Sequence, residues 1–307
     1  MRTRMKVFSV LFLAGTLLAV AGCQPPPSRS GPLRIGGSSI MEPVTKAWLA
    51  SLQKLPHPLE AQESPGGSTN AIQELLQGNL DVVTSSRRIS TAEIVDARSR
   101  GVRVEEAHVG FAIYAVVVHA SNPIGSITAA QIREVFTRRV KDWSALGGPK
   151  LPITCIYRRV KPGDYDHFFE RTVKTGDPIV PGEVDQGTVV LTTTSEIASA
   201  VATNPAAVGY LLMTDIGSAA VKTLQVQAAA EAKPAPPTIE AAAEGLYPLL
   251  RPLYLYIDRA SPRAAGYFRD YAISPEGCAQ MASLGFVPLP RKAREVDREM
   301  VDKMLSW

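Results

Sequence analysis

Residues Leu33-Arg34-Ile35-Gly36-Gly37-Ser38-Ser39 indicate the class of fold, because one kind of secondary structure ends here and another begins. Residues 33–36 are typical of a short strand, and a helix is predicted from about Pro43 to Lys54. Pro43 suits the first turn of that helix, where its missing N–H would have no intrahelical partner. The sequence therefore predicts a strand, a turn of small residues and a helix, in this order.

The same succession recurs along the chain and predicts an α/β fold with largely parallel sheets. The predicted strands are 33–36, 59–62, 81–84, 111–119, 152–157, 208–212 and 253–257. The predicted helices are 43–54, 70–77, 91–100, 128–136, 166–173, 195–203, 263–272 and 276–283. Because 111–119 is almost continuously apolar, it is typical of a central strand buried on both faces. We expect 228–237 to form a surface excursion and 291–305 a charged surface helix.

The composition excludes several classes of protein. The chain has 307 residues, of which 45% are hydrophobic and 20% charged, as is typical of globular domains. Its net charge is +4, but beyond residue 22 there are 30 basic and 29 acidic residues, which gives no indication of nucleic-acid binding. Four His and three Cys without HExxH or CxxC spacing indicate no metal centre. Since GxxxxGK[ST] and GxGxxG are absent as well, we expect no cofactor.

The N-terminus predicts export. Residues 1–6 are basic, residues 7–20 are apolar, and small residues precede Cys23. This apolar run is too short to cross a bilayer and is typical of a secretory signal. It resembles the lipobox of bacterial lipoproteins, which implies a signal peptide over 1–22, acylation of Cys23 and a flexible tether over 23–32. In a cell with two membranes, Gln24 after the cysteine resembles a signal for the outer membrane. The alternative is a signal cleaved elsewhere, with an incidental cysteine.

The two remaining cysteines, Cys155 and Cys278, lie in apolar surroundings in the sequence. We expect buried thiols that pack as small hydrophobic side chains. Because an exported compartment is oxidising, a disulfide is the alternative.

Three predicted junctions ahead of helices carry small or hydroxyl residues: Gly37-Ser38-Ser39, Gly66-Gly67-Ser68-Thr69 and the segment before Asp166. A helix N-terminus presents unpaired N–H groups and the positive end of the helix dipole, so it suits an anion. Ordinary N-capping by Ser and Thr is the alternative at each junction taken alone. The conjunction of three predicts an anion-binding site.

Arginines follow the ends of two predicted strands, as Arg87-Arg88 and as Arg158-Arg159. The guanidinium fork matches the oxygens of phosphate-like anions. Ligands of open α/β sheets bind outside the carboxyl ends of strands, where these arginines are expected. For any one of them, an ordinary surface position is the alternative.

From Leu33 to about Pro290 the chain resembles the periplasmic phosphate-binding proteins, the substrate-binding components of ABC-type phosphate importers. The resemblance rests on the order and spacing of several short motifs, each of which is weak alone. These motifs are Gly37-Ser38-Ser39 with Pro43; Gly66-Gly67-Ser68 with Ile72; Asp81 with Ser85-Ser86-Arg87; Ser126-Ile127-Thr128 with Phe136-Thr137 and Trp143; Glu196 to Val201 with Pro205, Gly209 and Tyr210; Tyr247-Pro248-Leu249 with Arg251-Pro252-Leu253-Tyr254; and Ser274-Pro275-Glu276-Gly277 with Gly285 to Pro290.

The resemblance implies a two-lobe periplasmic-binding-protein fold of type II, with an anion held in the cleft between the lobes. Lobe one would comprise 33–118 plus 250–307, and lobe two 119–249. Hinge strands near 116–120 and 253–257 would join them. The phosphate-binding residues implied by the family are the side chain of Ser39, the backbone of Ile40, and the side chains of Ser68, Arg87 and Arg159.

The chain departs from the family in one loop. Where the family has Gly-Ser-Gly-Thr, this chain has Pro162-Gly163-Asp164-Tyr165, so two hydroxyl donors are lost and a carboxylate is gained. Asp164 could cap the following helix, obstruct the anion, or accept a proton from it. Each lost charge-assisted hydrogen bond is worth roughly 1.5–3 kcal/mol, so several losses would weaken binding about 10³-fold.

The function implied is a monomeric, lipid-anchored binding protein that delivers phosphate or a similar oxyanion to an ABC permease without covalent chemistry. The alternative is a divergent family member that binds another anion or a protein partner, as an envelope sensor or scaffold. An enzyme is a third hypothesis with little support. The four histidines show no triad spacing and no nucleophile motif; they are His57, His108, His119 and His167.

Overall fold

Strands and helices alternate along most of the chain, as the computed structural model shows for residues 31–158, 167–168, 187–229 and 231–289. Its strands are β1 Leu33–Gly37, β2 Ala61–Pro65, β3 Val82–Ser85, β4 Val104–His119, β5 Ser126–Thr128, β6 Thr154–Arg158, β7 Thr188–Leu191, β8 Ala207–Leu212, β9 Val221–Thr223, β10 Gln225–Gln227, β11 Leu250–Asp258 and β12 Val287–Pro288. Its helices are α1 Glu42–Leu52, α2 Gly67–Leu76, α3 Thr91–Ser99, α4 Ala129–Phe136, α5 Thr194–Thr203, α6 Ile239–Ala243, α7 Arg263–Ala272 and α8 Pro275–Ser283.

The main sheet has the strand order β2-β1-β3-β11-β4-β8-β6-β7. β1, β2 and β3 are parallel to one another, and so are β6, β7 and β8. Between these two groups, β11 pairs antiparallel with β3 and β4, and β4 pairs antiparallel with β8. The α/β class is confirmed, but the expectation of largely parallel sheets misses these central antiparallel pairs.

β4 is the strand that connects the two parallel groups. Its first part, from Val104, pairs with β11, and its last part, from Tyr114 to Val118, pairs with β8. From Val109 to Val118 the strand is buried throughout, as the apolar run predicts. The sequence places its start at Phe111, which is seven residues too late, because the preceding segment contains charged residues that an apolar pattern does not reveal.

The helices pack on both sides of the first parallel group. α2 covers β1 and β3 with its apolar side chains, and Ile72 and Leu75 are fully buried. α1 lies against α7 and α8 instead. There the buried Trp48 donates from Nε1 to the Gly277 carbonyl at 3.0 Å and meets the ring of Phe268 edge-on at 5.9 Å. These contacts bring the C-terminal helices onto the N-terminal sheet.

Aromatic rings fill the core beside β8. Phe168 stacks on Tyr210 with 4.0 Å between ring centroids, and both meet Phe136 edge-on. His167 is also buried, and its ring stacks at 6.0 Å from that of Tyr114 in β4. Two residues of the predicted helix 166–173 are therefore fixed to this core, although most of that helix lies outside the described residues.

Several boundaries differ from the sequence predictions. β2 begins at Ala61, two residues late, and α2 begins at Gly67, three residues early, so Ser68 lies in the first helical turn. Within the predicted surface excursion, Ala235 is buried and bridges Val226. The short elements β5, β7, β9, β10, β12 and α6 are absent from the predictions because two to five residues show too little periodicity.

Cys155 and Cys278 are buried thiols, as expected. Among the residues that the structure describes, no helix combines the length and apolarity needed to cross a bilayer. The predicted signal peptide, the acylated Cys23, residues 23–30 of the tether and the C-terminal helix 291–305 lie outside the described residues.

Candidate functional site

Three serine hydroxyls meet at the carboxyl ends of β1 and β3. Ser38 follows β1, Ser86 follows β3, and Ser68 lies in the first turn of α2. Ser38 Oγ donates to Ser86 Oγ at 2.9 Å, and Ser68 Oγ lies 3.4 Å from Ser86 Oγ. Ser68 Oγ also accepts from the Ser86 backbone N–H at 3.1 Å. We call these three residues the hydroxyl cluster.

The position of the hydroxyl cluster follows from the topology of the sheet. α1 leads from β1 to β2 at the sheet edge, whereas α2 leads from β2 past β1 to β3. The chain therefore reverses its direction across the sheet between β1 and β3. In open α/β sheets this switch point leaves a crevice beyond the strand ends, which is where ligands bind.

Gly37 allows β1 and β3 to approach closely enough for the cluster to form. Its φ is +148°, and a Cβ at this residue would lie 2.0 Å from the Thr84 carbonyl oxygen. The next residue, Ser38, donates its N–H to that carbonyl at 2.9 Å. Only glycine combines this backbone conformation with this contact, so Gly37 determines where Ser38 points.

The turn before α1 offers two backbone donors. Met41 N–H donates to the Ser38 carbonyl at 3.0 Å, which closes the turn. Within the described part of the chain, the N–H groups of Ser39 and Ile40 meet no acceptor. Ser39 is exposed and Ile40 half-buried, so these donors lie at the surface of the crevice. Unpaired N–H groups at a helix N-terminus are a common way to hold an anion.

Arg87, which the resemblance implies as a ligand, is held by an acid. Its Nη1 and Nη2 donate to the two carboxylate oxygens of Glu93 at 2.9 and 2.7 Å, and its Nε reaches Thr69 Oγ1 at 3.3 Å. Burial opposes ionisation of Glu93, but hydrogen bonds from Arg87 and Ser90 outweigh it and lower the pKa of Glu93 to about 2. The positive charge of Arg87 is therefore compensated within the protein.

A cavity of about 250 Å³ adjoins the hydroxyl cluster through Ser38 and Ser39. Its wall carries Glu42 and Glu63 as well as Lys46, which pairs with Glu42 at 2.6 Å. Burial raises the pKa of Glu63; Lys46 opposes this rise, and Glu42 adds to it. With two carboxylates and one ammonium, this cavity is unfavourable for a dianion. The hydroxyl cluster beside it is the better anion site.

The structure brings some of the predicted site residues together. Ser68 belongs to the hydroxyl cluster, and Ser39 and Ile40 follow Ser38 directly, whereas the Arg87 guanidinium is turned to Glu93. Arg159 and Asp164 lie outside the described residues. No grouping of three potential metal ligands occurs in the part of the chain that the structure describes.

Ser38 and Ser86 are members of the cluster that the sequence places in motifs but that are not among the predicted phosphate-binding residues. Both are buried, with 4% and 3% of their surface exposed. The available signal is that each lies two residues after a predicted strand, in a run of small residues. That signal does not say which serine of a run faces the neighbouring strand, because this depends on the register of β1 against β3.

Comparisons with known proteins match the chain almost end to end. A family model described as a PBP superfamily domain matches residues 24–276. Protein SphX of Synechococcus elongatus is 26% identical over 272 residues, which cover 84% of this chain and 77% of that protein. The phosphate-binding protein PstS of Pseudomonas aeruginosa is 26% identical over 287 residues, covering 87% of this chain and 85% of the relative.

A solved structure gives the same result for the fold. A putative phosphate ABC transporter substrate-binding protein from Clostridium perfringens, solved with bound phosphate, superposes with a TM-score of 0.66. The two chains are 21% identical, and the match covers 84% of this chain and 100% of the other. The expected two-lobe fold of periplasmic binding proteins is thereby confirmed. Since the family model covers most of its length, the chain belongs to the PBP superfamily.

Proposed function

We propose that this chain is an exported, lipid-anchored binding protein that takes up phosphate between its two lobes and delivers it to an ABC-type importer. The observation that carries the proposal is the hydroxyl cluster at the switch point, with the unpaired N–H groups of Ser39 and Ile40 beside it. The relatives named as phosphate-binding support the choice of ligand. Protein and anion would form no covalent bond, so the chain is not proposed as an enzyme.

The chemistry of the first lobe suits a tetrahedral oxyanion. Backbone N–H groups and serine hydroxyls donate hydrogen bonds, and the dipoles of α1 and α2 favour negative charge at their N-termini. A bound anion would accept from Ser39 and Ile40 on one side and from Ser68 on the other. Arg159 of the second lobe would add a guanidinium when the lobes close. Lobe boundaries at 33–118 plus 250–307 and at 119–249 remain part of the proposal.

Anchoring is proposed from the sequence of the N-terminus. Acylation of Cys23 would tie the domain to the membrane through the tether 23–32, where it could meet an ABC permease as a monomer. Radiolabelled palmitate incorporation in a bacterial host tests this directly. Label in the wild type that is absent from Cys23→Ser supports the anchor, and equal label in both contradicts it.

Titration calorimetry of the purified chain with inorganic phosphate, sulfate and arsenate tests the binding function. We expect phosphate to bind with a submicromolar dissociation constant and sulfate to bind more weakly. The Ser39→Pro variant removes one of the two N–H donors, and Ser121→Ala is a control outside the cluster. Absence of heat with phosphate at any concentration would contradict the proposed function.

The second candidate function is that of a divergent member that binds another anion or a protein partner. The Arg87–Glu93 pair and the carboxylates of Glu42 and Glu63 favour it, because they reduce the positive charge available to phosphate. If none of the three anions binds in the same titration, a protein partner is supported as the ligand. If sulfate binds more tightly than phosphate, an anion other than phosphate is supported as the ligand.

A further inference from the structure

Arg251 is a buried arginine at the start of β11. Only 8% of its surface is exposed. β11 runs antiparallel to β3 with Tyr254 opposite Ser85, so Arg251 lies just past the carboxyl end of β3. Its Nε donates to the Ser86 carbonyl at 2.8 Å, and its Nη1 donates to the Tyr114 hydroxyl at 2.9 Å. The guanidinium is therefore attached to the hydroxyl cluster through Ser86.

The positive charge of Arg251 has no counter-ion in the described part of the protein. No carboxylate oxygen of a described residue lies within 4.0 Å of its guanidinium nitrogens, and both acceptors that it contacts are neutral. Other arginines of the same region pair with acids: Arg34 with Asp81, Arg87 with Glu93, Arg88 with Glu106, Arg100 with Asp96 and Arg269 with Glu105.

An uncompensated buried charge needs an explanation, because removing a charge from water without a partner is strongly unfavourable. A guanidinium has five N–H donors, of which Arg251 uses two. The Nη2 group donates to no residue that the structure describes. An anion beside the cluster would compensate the charge and could use the remaining donors.

We propose that an oxyanion bound at the hydroxyl cluster is the counter-ion of Arg251, and that the Arg251 fork also positions Ser86. This inference rests on the proposed anion site, but not on phosphate being the anion. In this proposal Arg251, at the start of β11, supplies the positive charge at the anion site, because Glu93 compensates the charge of Arg87. Arg251 thus links the anion to β4 through the Tyr114 hydroxyl.

Calorimetry with phosphate, sulfate and arsenate compares the anion affinity of the wild type with that of Arg251→Gln and Arg251→Lys. Thermal unfolding with and without each anion compares the stability of the same three proteins. Arg100→Gln is the matched control, because this exposed arginine pairs with Asp96 on the surface of the protein. We expect Arg251→Gln to lose about 10- to 100-fold in affinity for whichever anion binds. The control should bind as the wild type does.

Unfolding without anion separates a binding role from a structural one. Arg251→Gln removes an uncompensated charge together with two buried hydrogen bonds, so a change in its unfolding temperature without anion measures the structural role of Arg251. A smaller stabilisation by the anion measures its binding role. If Arg251→Gln does not fold, Arg251→Lys carries the test. The ammonium keeps the charge but loses the fork, and we expect a loss of about 3- to 10-fold.

The outcomes distinguish this inference from the proposed function. If Arg251→Gln binds phosphate as tightly as the wild type does, the proposed role of Arg251 is wrong, but the phosphate function is unaffected. The same conclusion follows from Arg251→Lys if that is the only variant that folds. If the wild type binds sulfate or arsenate but not phosphate, and Arg251→Gln binds that anion more weakly, the role of Arg251 is supported and the phosphate function is wrong. A wild type that binds none of the three anions overturns both.

Discussion

The Arg87 guanidinium and the Glu93 carboxylate form a two-pronged ion pair, with Nη2–Oε1 at 2.7 Å and Nη1–Oε2 at 2.9 Å. Glu93 also accepts from the Ser90 N–H at 2.8 Å and so closes the capping box of α3. The same carboxylate thus starts a helix and neutralises an arginine beside the hydroxyl cluster. Both the stability of the protein and its affinity for anions should respond to this residue.

In Glu93→Gln, the free energy of unfolding should fall less than in the wild type as the pH is lowered into the acid range. Because the folded-state pKa of Glu93 is lowered to about 2 from an ordinary 4.5, its contribution is complete above pH 4.5 and is lost as the pH falls toward 2. Because solvent screens this partly exposed carboxylate, the wild type should lose about 1–2 kcal/mol more than the variant over that interval. Urea unfolding at several pH values measures this. Glu134→Gln, an exposed change in α4, is the control, and parallel profiles for wild type and Glu93→Gln would refute the pair's role.

The same variant should bind anions more tightly. Removing the Glu93 charge releases the Arg87 guanidinium and reduces repulsion of an incoming oxyanion, so affinity should rise about 3- to 10-fold. Calorimetry with phosphate near neutral pH, where the variant is expected to be folded, measures the effect. A weaker affinity in Glu93→Gln would mean that the ion pair holds Arg87 in its binding position.

Ser68→Ala should reduce both anion affinity and stability. The Ser68 hydroxyl accepts from the buried Ser86 N–H, so its loss leaves that group unsatisfied at a cost of about 1–3 kcal/mol in unfolding free energy. Affinity for the anion should fall about 10-fold, because one hydroxyl donor is lost. Ser99→Ala, at the exposed end of α3, is the matched control. Wild-type affinity in Ser68→Ala would exclude Ser68 from the site.

Gly37→Ala should be strongly destabilising. The added Cβ would lie 2.0 Å from the Thr84 carbonyl oxygen in a backbone conformation that disfavours side chains. We expect the free energy of unfolding to fall by at least about 2 kcal/mol. Gly125→Ala is the control, because a Cβ there meets no atom within 4 Å. Equal unfolding midpoints for the two variants would contradict the close approach of β1 and β3.

The double change Gly163→Ser with Asp164→Gly tests the altered loop. If the Asp164 carboxylate obstructs the anion, restoring the family's serine and glycine should tighten phosphate binding about 10-fold or more. Asp166→Asn, which leaves the altered loop intact, serves as the control in the same calorimetric titration. Weaker binding in the double variant would show that Asp164 accepts a proton from the ligand instead.

Much of the fold could be predicted from local sequence. Gly37-Ser38-Ser39 after an apolar strand indicates a turn into a helix, and 111–119 indicates a buried central strand. Periodicity carries this information because it reports which face of an element is buried. The antiparallel pairing of β11 with β3 and β4 could not be predicted in this way, since it joins residues more than 130 positions apart.

The site could be predicted in part. Hydroxyl residues ahead of predicted helices point to Ser39 and Ser68. The contact between Ser38 and Ser86 depends on the parallel register that places Gly37 beside Thr84. Likewise, Arg251 reaches Ser86 only through the pairing of β11 with β3. Neither relationship leaves a local pattern in the sequence.

The most direct test is a crystal structure of the protein with arsenate, in which anomalous scattering locates the arsenic atom. The proposed site predicts one arsenate whose oxygens lie within about 3.2 Å of the Ser39 and Ile40 amides and of Ser68 Oγ. Arsenate in the cavity beside Glu63, or a hydroxyl cluster without arsenate at saturating concentration, would contradict it.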